Sequence, residues 1–172
     1  MSDVSVRALG GEDWQAYRDM RLAALAEAPE AFTGSYESER ELDEAFWRTR
    51  MARSARLLAT VDDDPVGIVS VGEAAPDVAE LFGMWVVPGS RGGGVAWRLM
   101  EAASEHARQQ GRRALQAWVS TDNGRAVAFF SSYGFRPSDH RRPMTTDAAV
   151  EELAMTLPLG DDSGWLPVVH PA

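Results

Sequence analysis

The sequence predicts an α/β (mixed α+β) fold built on one mixed sheet. Three observations predict it. The chain has 172 residues, the size of one domain. Its 45% hydrophobic content can fill a core and excludes disorder for most of the chain. The hydrophobic periodicities run strand, two helices, three strands, helix, strand, helix, two strands. That irregular alternation argues against a doubly wound sheet.

Each element follows from local pattern. Val4 to Leu9 alternates weakly and predicts a first or edge strand. Gly10-Gly11 is a turn, and Glu12 and Asp13 suit a helix N-terminus. Trp14, Tyr17, Arg21, Ala24, Leu25 and Ala28 keep helical spacing until Pro29. Residues 29–41 read as a loop with two aromatics and several acids. A second helix is predicted over Leu42–Arg53, with Leu42, Ala45, Phe46 and Thr49 on one face. Arg56–Val61 and Val66–Val71 form a predicted hairpin across Asp62-Asp63-Asp64-Pro65. Ala79–Val87 is a longer strand. Pro88 to Gly94 is a glycine-rich turn, and a helix follows from about Gly93 to Gln110, stopped by Gly111. Leu115–Val119 is a strand, Gly124–Ser132 a short helix, and two strands lie near 135–145 and 151–158. Residues 1–159 are read as one domain and 160–172 as a tail. The tail's Trp165, Leu166, Val168 and Val169 suit either a partner subunit, giving a homodimer, or their own chain.

Composition removes whole classes of chemistry. There is no cysteine, so disulfides, thiolate metal sites and an acyl-cysteine intermediate are excluded. The 17 basic residues are all arginine, which excludes a P-loop lysine and a Schiff base. A single Ile68 and a single Asn123, with abundant alanine, point to a GC-rich bacterial genome. No uninterrupted apolar run is long enough to span a bilayer, and the N-terminus has no signal-peptide core, so a cytoplasmic protein is expected. His106, His140 and His170 stand in separate elements, and no metal site is read from them. The net charge of −9 argues against nucleic acid and anionic membranes as partners. Residues 91–142 nevertheless carry nine arginines against four acids, a local +5 that suits an anionic ligand.

The key segment is strand, Arg91-Gly92-Gly93-Gly94-Val95-Ala96, helix. Glycines let the backbone approach a ligand, and the first helical amides are unpaired donors at the positive end of the dipole. Such a turn suits a phosphate, and it is equally a tight strand-to-helix connection. No Gly-Lys-Ser/Thr occurs, and Trp97 stands where a dinucleotide fingerprint needs its third glycine.

Here the sequence resembles the GNAT N-acetyltransferases. Arg91 to Ala96 satisfies their Gln/Arg-x-x-Gly-x-Gly/Ala signature at the start of the central helix. Leu81 to Pro88 resembles the family's fourth strand, Asn123-x-x-Ala126 and Gly134-Phe135 its second motif, and Glu152–Leu159 its last strand. The resemblance covers residues 4–159. It implies a GNAT-like, mostly antiparallel mixed sheet of about seven strands, splayed after the fourth, with about four helices. It implies acetyl-CoA as co-substrate, with its pyrophosphate on the amides of Gly92, Gly93, Gly94, Val95, Ala96 and Trp97 beside Arg91. The pantetheine arm would pair with the backbone of Met84, Trp85 and Val86, one amide there polarising the thioester carbonyl. Gly83 fits as a bulge or a close backbone approach. Asn123 matches the position that hydrogen-bonds the CoA arm.

Transfer to an amine needs the neutral amine. At pH 7 an alkylamine with pKa near 10.4 is neutral in roughly one molecule in 2,500. Glu80 stands eleven residues before Arg91, where histone-type members of the family carry their base. Glu37, Glu39 and Glu41 are candidates to attract a cationic amine, or simply a solvated acidic loop. Many members protonate the leaving thiolate with a tyrosine seven residues after the asparagine. That position is Phe130 here, and Tyr133, one helical turn on, is the nearest phenol. The leading expectation is direct transfer from acetyl-CoA to a primary amine in a ternary complex. An acyl-CoA-binding sensor without turnover and an unrelated phosphate-binding protein are the alternatives.

Overall fold

The computed structural model describes residues 3–145 and 147–160; the apolar tail lies outside the described residues. The elements are β1 (Val4–Ala8), α1 (Trp14–Glu27), α2 (Tyr36–Glu39), α3 (Glu44–Arg53), β2 (Ala55–Val61), β3 (Asp64–Ala75), β4 (Val78–Val86), α4 (Val95–Gln109), β5 (Ala114–Ser120), α5 (Gly124–Tyr133), β6 (Arg136–Pro143) and β7 (Glu151–Pro158). The strands form one seven-stranded sheet in the order β1-β2-β3-β4-β5-β7-β6. It is mostly antiparallel, and β4 pairs with β5 in parallel. Its register runs from Val78↔Ala114 only to Leu81↔Ala117, although β4 continues to Val86.

The chain divides into two compact units. The first comprises Met1–Gly72 and Gly83–Ala103. Its core gathers Tyr17, Met20 and Ala24 of α1, Trp47 and Met51 of α3, and Leu58, Ile68 and Trp85 of the sheet. Burying each large apolar side chain contributes about 1.5–3 kcal/mol. The expected inner face of this segment is corrected in part: Leu42 and Phe46 do pack against this core. Trp47 and Met51, one turn apart, are buried, while Ala45 and Thr49 are exposed. The Trp47 ring sets the helix's rotation: it fills the space between Tyr17 and Phe46, edge-on to both at 5.9 Å. Asp43 caps α3, accepting from the Phe46 amide at 3.0 Å. The β2–β3 hairpin turns on Asp62 and Asp63, both at positive φ (51° and 68°), the backbone of a two-residue type I′ turn.

Residues 29–41 are more ordered than a solvated loop. They contain a 3-10 turn at Pro29–Ala31 and α2, a fifth helix beyond the four expected. Glu39 is buried and receives Arg21 at 3.0 Å and Arg50 at 2.6 Å. Burial raises its carboxyl, but the two guanidiniums outweigh burial and hold it below the usual carboxylate range. Gly34, at φ +110°, packs so closely on this carboxylate that a Cβ would collide with Glu39 and press on Arg21. A Cβ on Gly67 would stand 3.0 Å from both Val95 and Leu99. The bare backbone there lets the first turns of α4 lie against β3.

The second unit comprises Glu73–Phe82 and Ser104–Ala172. β5 lies at its centre, between the first half of β4 and β7. Leu115, Ala117 and Val119 are buried on one side of β5, and Gln116 is buried on the other. Gly134, at φ +123°, ends α5, its amide donating to the Phe130 and Ser131 carbonyls. Among the described residues no helix is long and apolar enough to cross a membrane.

Candidate functional site

In the first unit the candidate residues follow one another from the end of β4 into α4. Gly83 interrupts β4 at φ +63°, and a Cβ there would meet only Ser70 Oγ, at 3.8 Å. Its glycine is thus required by backbone conformation, not by a crowding aromatic. Met84 is half-buried, and Trp85 and Val86 are buried. The Trp85 ring belongs to the core, so of the two tryptophans flanking the turn only Trp97, 40% exposed, presents its ring at the surface.

A 3-10 turn at Pro88–Ser90 leads into Arg91-Gly92-Gly93-Gly94. Gly92 (φ +83°) and Gly94 (φ +85°) take the left-handed conformation, and nothing lies within 4 Å of where their Cβ atoms would be. The four residues are exposed, and α4 begins at Val95 rather than Gly93, because Gly94 is non-helical. Val95 is buried and Ala96 half-buried, so the helix start is anchored on one side and open on the other. The Arg91 side chain turns back: Nε donates to the Val86 carbonyl at 3.0 Å and Nη2 to Glu27 Oε2 at 3.0 Å. The same Glu27 oxygen accepts from Trp85 Nε1 at 2.8 Å. These bonds, first from Trp85 and then from Arg91, hold the Glu27 carboxyl below its usual range.

In the second unit Glu80 is half-buried on β4, directly across from Gln116 of β5. Burial pushes its carboxyl above the usual carboxylate range; Arg142 pulls it back, Glu152 pushes it further, and the Trp118 indole pulls it back. Asn123 caps α5, its Oδ1 accepting from the Ala126 amide at 3.1 Å. Phe130 packs edge-on against Phe135 at 5.1 Å and Phe129 at 5.6 Å. Tyr133 is half-buried with its ring 6.3 Å from Phe135.

Gly83 at positive φ within β4, the bare glycine turn and the long helix α4 all lie in the stretch that matches the acetyltransferase (GNAT) family model. That model matches residues 21–135. The chain belongs to the GNAT family. Among relatives, an N-acetyltransferase from Archaeoglobus fulgidus is 29% identical over 116 residues, covering 63% of this chain and 76% of its own. A mycothiol acetyltransferase from Streptomyces avermitilis is 30% identical over 134 residues, covering 77% of this chain and 42% of its own. The chain thus spans less than half of that relative, and 44% of another N-acetyltransferase, from Methanocaldococcus jannaschii. In fold it is similar to YncA of Salmonella typhimurium, a structure solved with acetyl-CoA. The TM-score is 0.73 at 18% identity, over 94% of this chain and 96% of that one.

Two features of this GNAT chain escape its sequence motifs. Glu27 lies 64 residues before Arg91, and nothing in α1's pattern marks it as a partner of the turn. Glu39, read as a candidate for attracting an amine, is instead consumed by Arg21 and Arg50. Glu37 is exposed, and Glu41 is paired with Arg40 at 3.1 Å.

Proposed function

We propose that this chain is an N-acetyltransferase that moves an acetyl group from acetyl-CoA directly to a primary amine. The observation that carries the reading is the Gly92–Gly94 turn, held from behind by Arg91 and Glu27 and opening the 15-residue helix α4. Two left-handed glycines without side chains leave room for a pyrophosphate against exposed backbone. The positive end of the α4 dipole completes such an anion site. Gly92, Gly93, Gly94, Val95, Ala96 and Trp97 would hold the pyrophosphate, and the backbone of Met84, Trp85 and Val86 the pantetheine arm. The Arg91 side chain serves the turn's shape, since its donors go to Glu27 and Val86. The Asn123 amide NH2 is the end that would serve the CoA arm, because Oδ1 is spent on the cap.

The amine must lose a proton before its lone pair attacks the thioester carbonyl carbon. Glu80 accepts that proton, directly or through water, and its raised carboxyl makes it a better base than an ordinary carboxylate. The C–S bond then breaks and CoA leaves as a thiolate, a fair leaving group that takes a proton from Tyr133 or solvent. With no cysteine for an acyl-enzyme, transfer in a ternary complex is the simplest course.

The test is thermal unfolding with acetyl-CoA, followed by CoA release across an amine panel. Ligand at about 100 times its dissociation constant stabilises by about 2.7 kcal/mol. For a chain this size that raises Tm by roughly 5–10 °C. No shift at millimolar acetyl-CoA overturns the reading. A shift without release on any amine favours the sensor, to which Phe130 in place of a tyrosine lends itself.

A further inference from the structure

Helix α5 of the second unit is apolar over a broad arc. Ala126, Val127, Phe129, Phe130 and Tyr133 are half-buried and, at 3.6 residues per turn, fall within about 160° of one another. A surface helix ordinarily buries a narrower stripe of about 100°. None of the ten residues of α5 is fully buried, whereas α4 buries Leu99, Met100, Ala103 and Ala107 completely. Phe130 stands mid-arc and packs at 5.1 Å on the buried Phe135. Phe129 and Tyr133, one turn apart, line one border of the arc.

The chain leaves the sheet beside this helix. Gly134, which ends α5, stands so close to β7 that a Cβ would lie 3.3 Å from Leu157 Cδ1. Two residues on, the Leu159 amide donates to the Arg113 carbonyl at 2.8 Å. The Leu159 carbonyl accepts from Nε of Arg108, in the last turn of α4, at 3.4 Å. The described residues end at Gly160, and residues 161–172 lie outside them. That segment holds a polar spacer, Asp161-Asp162-Ser163-Gly164, and then the apolar Trp165, Leu166, Val168 and Val169. Four extended residues span roughly 13–14 Å. A ten-residue helix is about 15 Å long. Trp165 is therefore within reach of the last turn of α5, and Leu166 of the turn before it.

We propose that the apolar arc of α5 is the docking surface for this chain's own C-terminal segment, with Trp165 and Leu166 laid along Tyr133 and Phe129. The segment brings the apolar side chains that the arc lacks, and it starts at the arc's own end. A short tether holds it at millimolar effective concentration over its own α5, well above what a second copy supplies in micromolar solution. The proposal is independent of the acetyl-CoA site.

The chain has no cysteine, so introduced thiols are the only ones. Leu166→Cys is combined with Phe129→Cys, on the arc, or with Ser131→Cys, on the exposed side of the same helix. Both full-length double variants are oxidised at low micromolar concentration and resolved without reductant. A docked segment closes the Phe129→Cys pair within one chain at least about tenfold faster than the Ser131→Cys pair, because an undocked tether visits both sides alike. Trp165→Ser lowers Tm by roughly 3–8 °C, the shift expected from exposing one large apolar side chain in a chain of this size. Equal closure rates, a covalent dimer as the main product, or an unmoved Tm in Trp165→Ser overturns the proposal; the dimer assigns the arc to a second copy. Unfolding curves confirm that the double variants are folded, and if Phe129→Cys is not, the Tm of Trp165→Ser decides. None of these readouts uses acetyl-CoA, so the transferase reading stands or falls separately.

Discussion

Glu27, the last residue of α1, and Arg91, the first residue of the glycine turn, meet through a single oxygen. Glu27 Oε2 accepts Arg91 Nη2 at 3.0 Å and also the Trp85 indole at 2.8 Å. Arg91 Nε binds the Val86 carbonyl. The end of β4 and the start of the turn are thereby tied to the same helix terminus.

Replacing Glu27 with Ala should raise the KM for acetyl-CoA about fivefold with little change in kcat, a change of about 1 kcal/mol in binding. The turn would lose its support but not its amides. Steady-state titration of acetyl-CoA checks this. A loss confined to kcat would place Glu27 elsewhere in the reaction.

Gly83 has room for a Cβ but not the backbone for one. Gly83→Ala should cost about 1–2 kcal/mol from the left-handed conformation alone. Gly83→Asn should cost less and Gly83→Val more. Denaturant unfolding of the three variants gives the order.

Asn123 combines a helix cap with a position suited to a ligand, and two substitutions separate them. Asn123→Ala should lose about 1 kcal/mol of stability with the cap. Asn123→Asp keeps an oxygen for the Ala126 amide, so stability should hold. If the amide NH2 serves the CoA arm, the Asp variant still binds acetyl-CoA several-fold more weakly.

Glu80 should trade stability for chemistry. Its carboxyl is raised in the fold, chiefly by burial. A raised group contributes its full stability below the unfolded value, about 4.3, and loses it as pH climbs through the folded value. Glu80→Gln should therefore raise Tm at pH 7 relative to wild type, with the advantage absent near pH 4. Turnover should fall at neutral pH and recover partly at high pH, where the amine deprotonates unaided. Turnover equal to wild type at every pH would remove Glu80 as base.

Glu39 shows the opposite sign. Burial opposes its charge, but Arg21 and Arg50 prevail and lower it. Its contribution is present above about pH 4.3 and lost as pH falls through the depressed folded value. Glu39→Gln should cost about 3 kcal/mol at neutral pH, leaving two guanidiniums facing a neutral amide. The deficit against wild type should shrink in acid. Urea unfolding at pH 7 and pH 3 measures both.

What could be read in advance was local. Strand, glycine turn and helix announce themselves within a few residues of Arg91, and the Asp62–Asp63 hairpin within four. Both depend on backbone conformations that neighbouring residue types dictate. Distant pairing was illegible. Glu27 meets Arg91 across 64 residues, and Glu39 meets Arg21 and Arg50 across 18 and 11. An acidic stretch such as residues 36–41 looks solvated until its arginines are placed. The face of α3 is only half legible for a related reason: Leu42 and Phe46 do pack on the core, but Ala45 and Thr49 are exposed in place of the buried Trp47 and Met51. Its periodicity allows two registers, and only the Tyr17 and Phe46 rings select the one that buries Trp47.

Gly34 has a bearing on how this chain can diverge. Segments between helices ordinarily drift, accepting insertions and swaps from relatives. Here an exposed position tolerates one residue type, since any side chain would strike the Glu39 carboxylate and unseat two arginines. Grafting a foreign segment into residues 29–41 would have to carry Gly34 and Glu39 together with it. The Asp62–Asp63 turn, exposed and carrying no such glycine, is the better splice point for a tag or a permuted terminus.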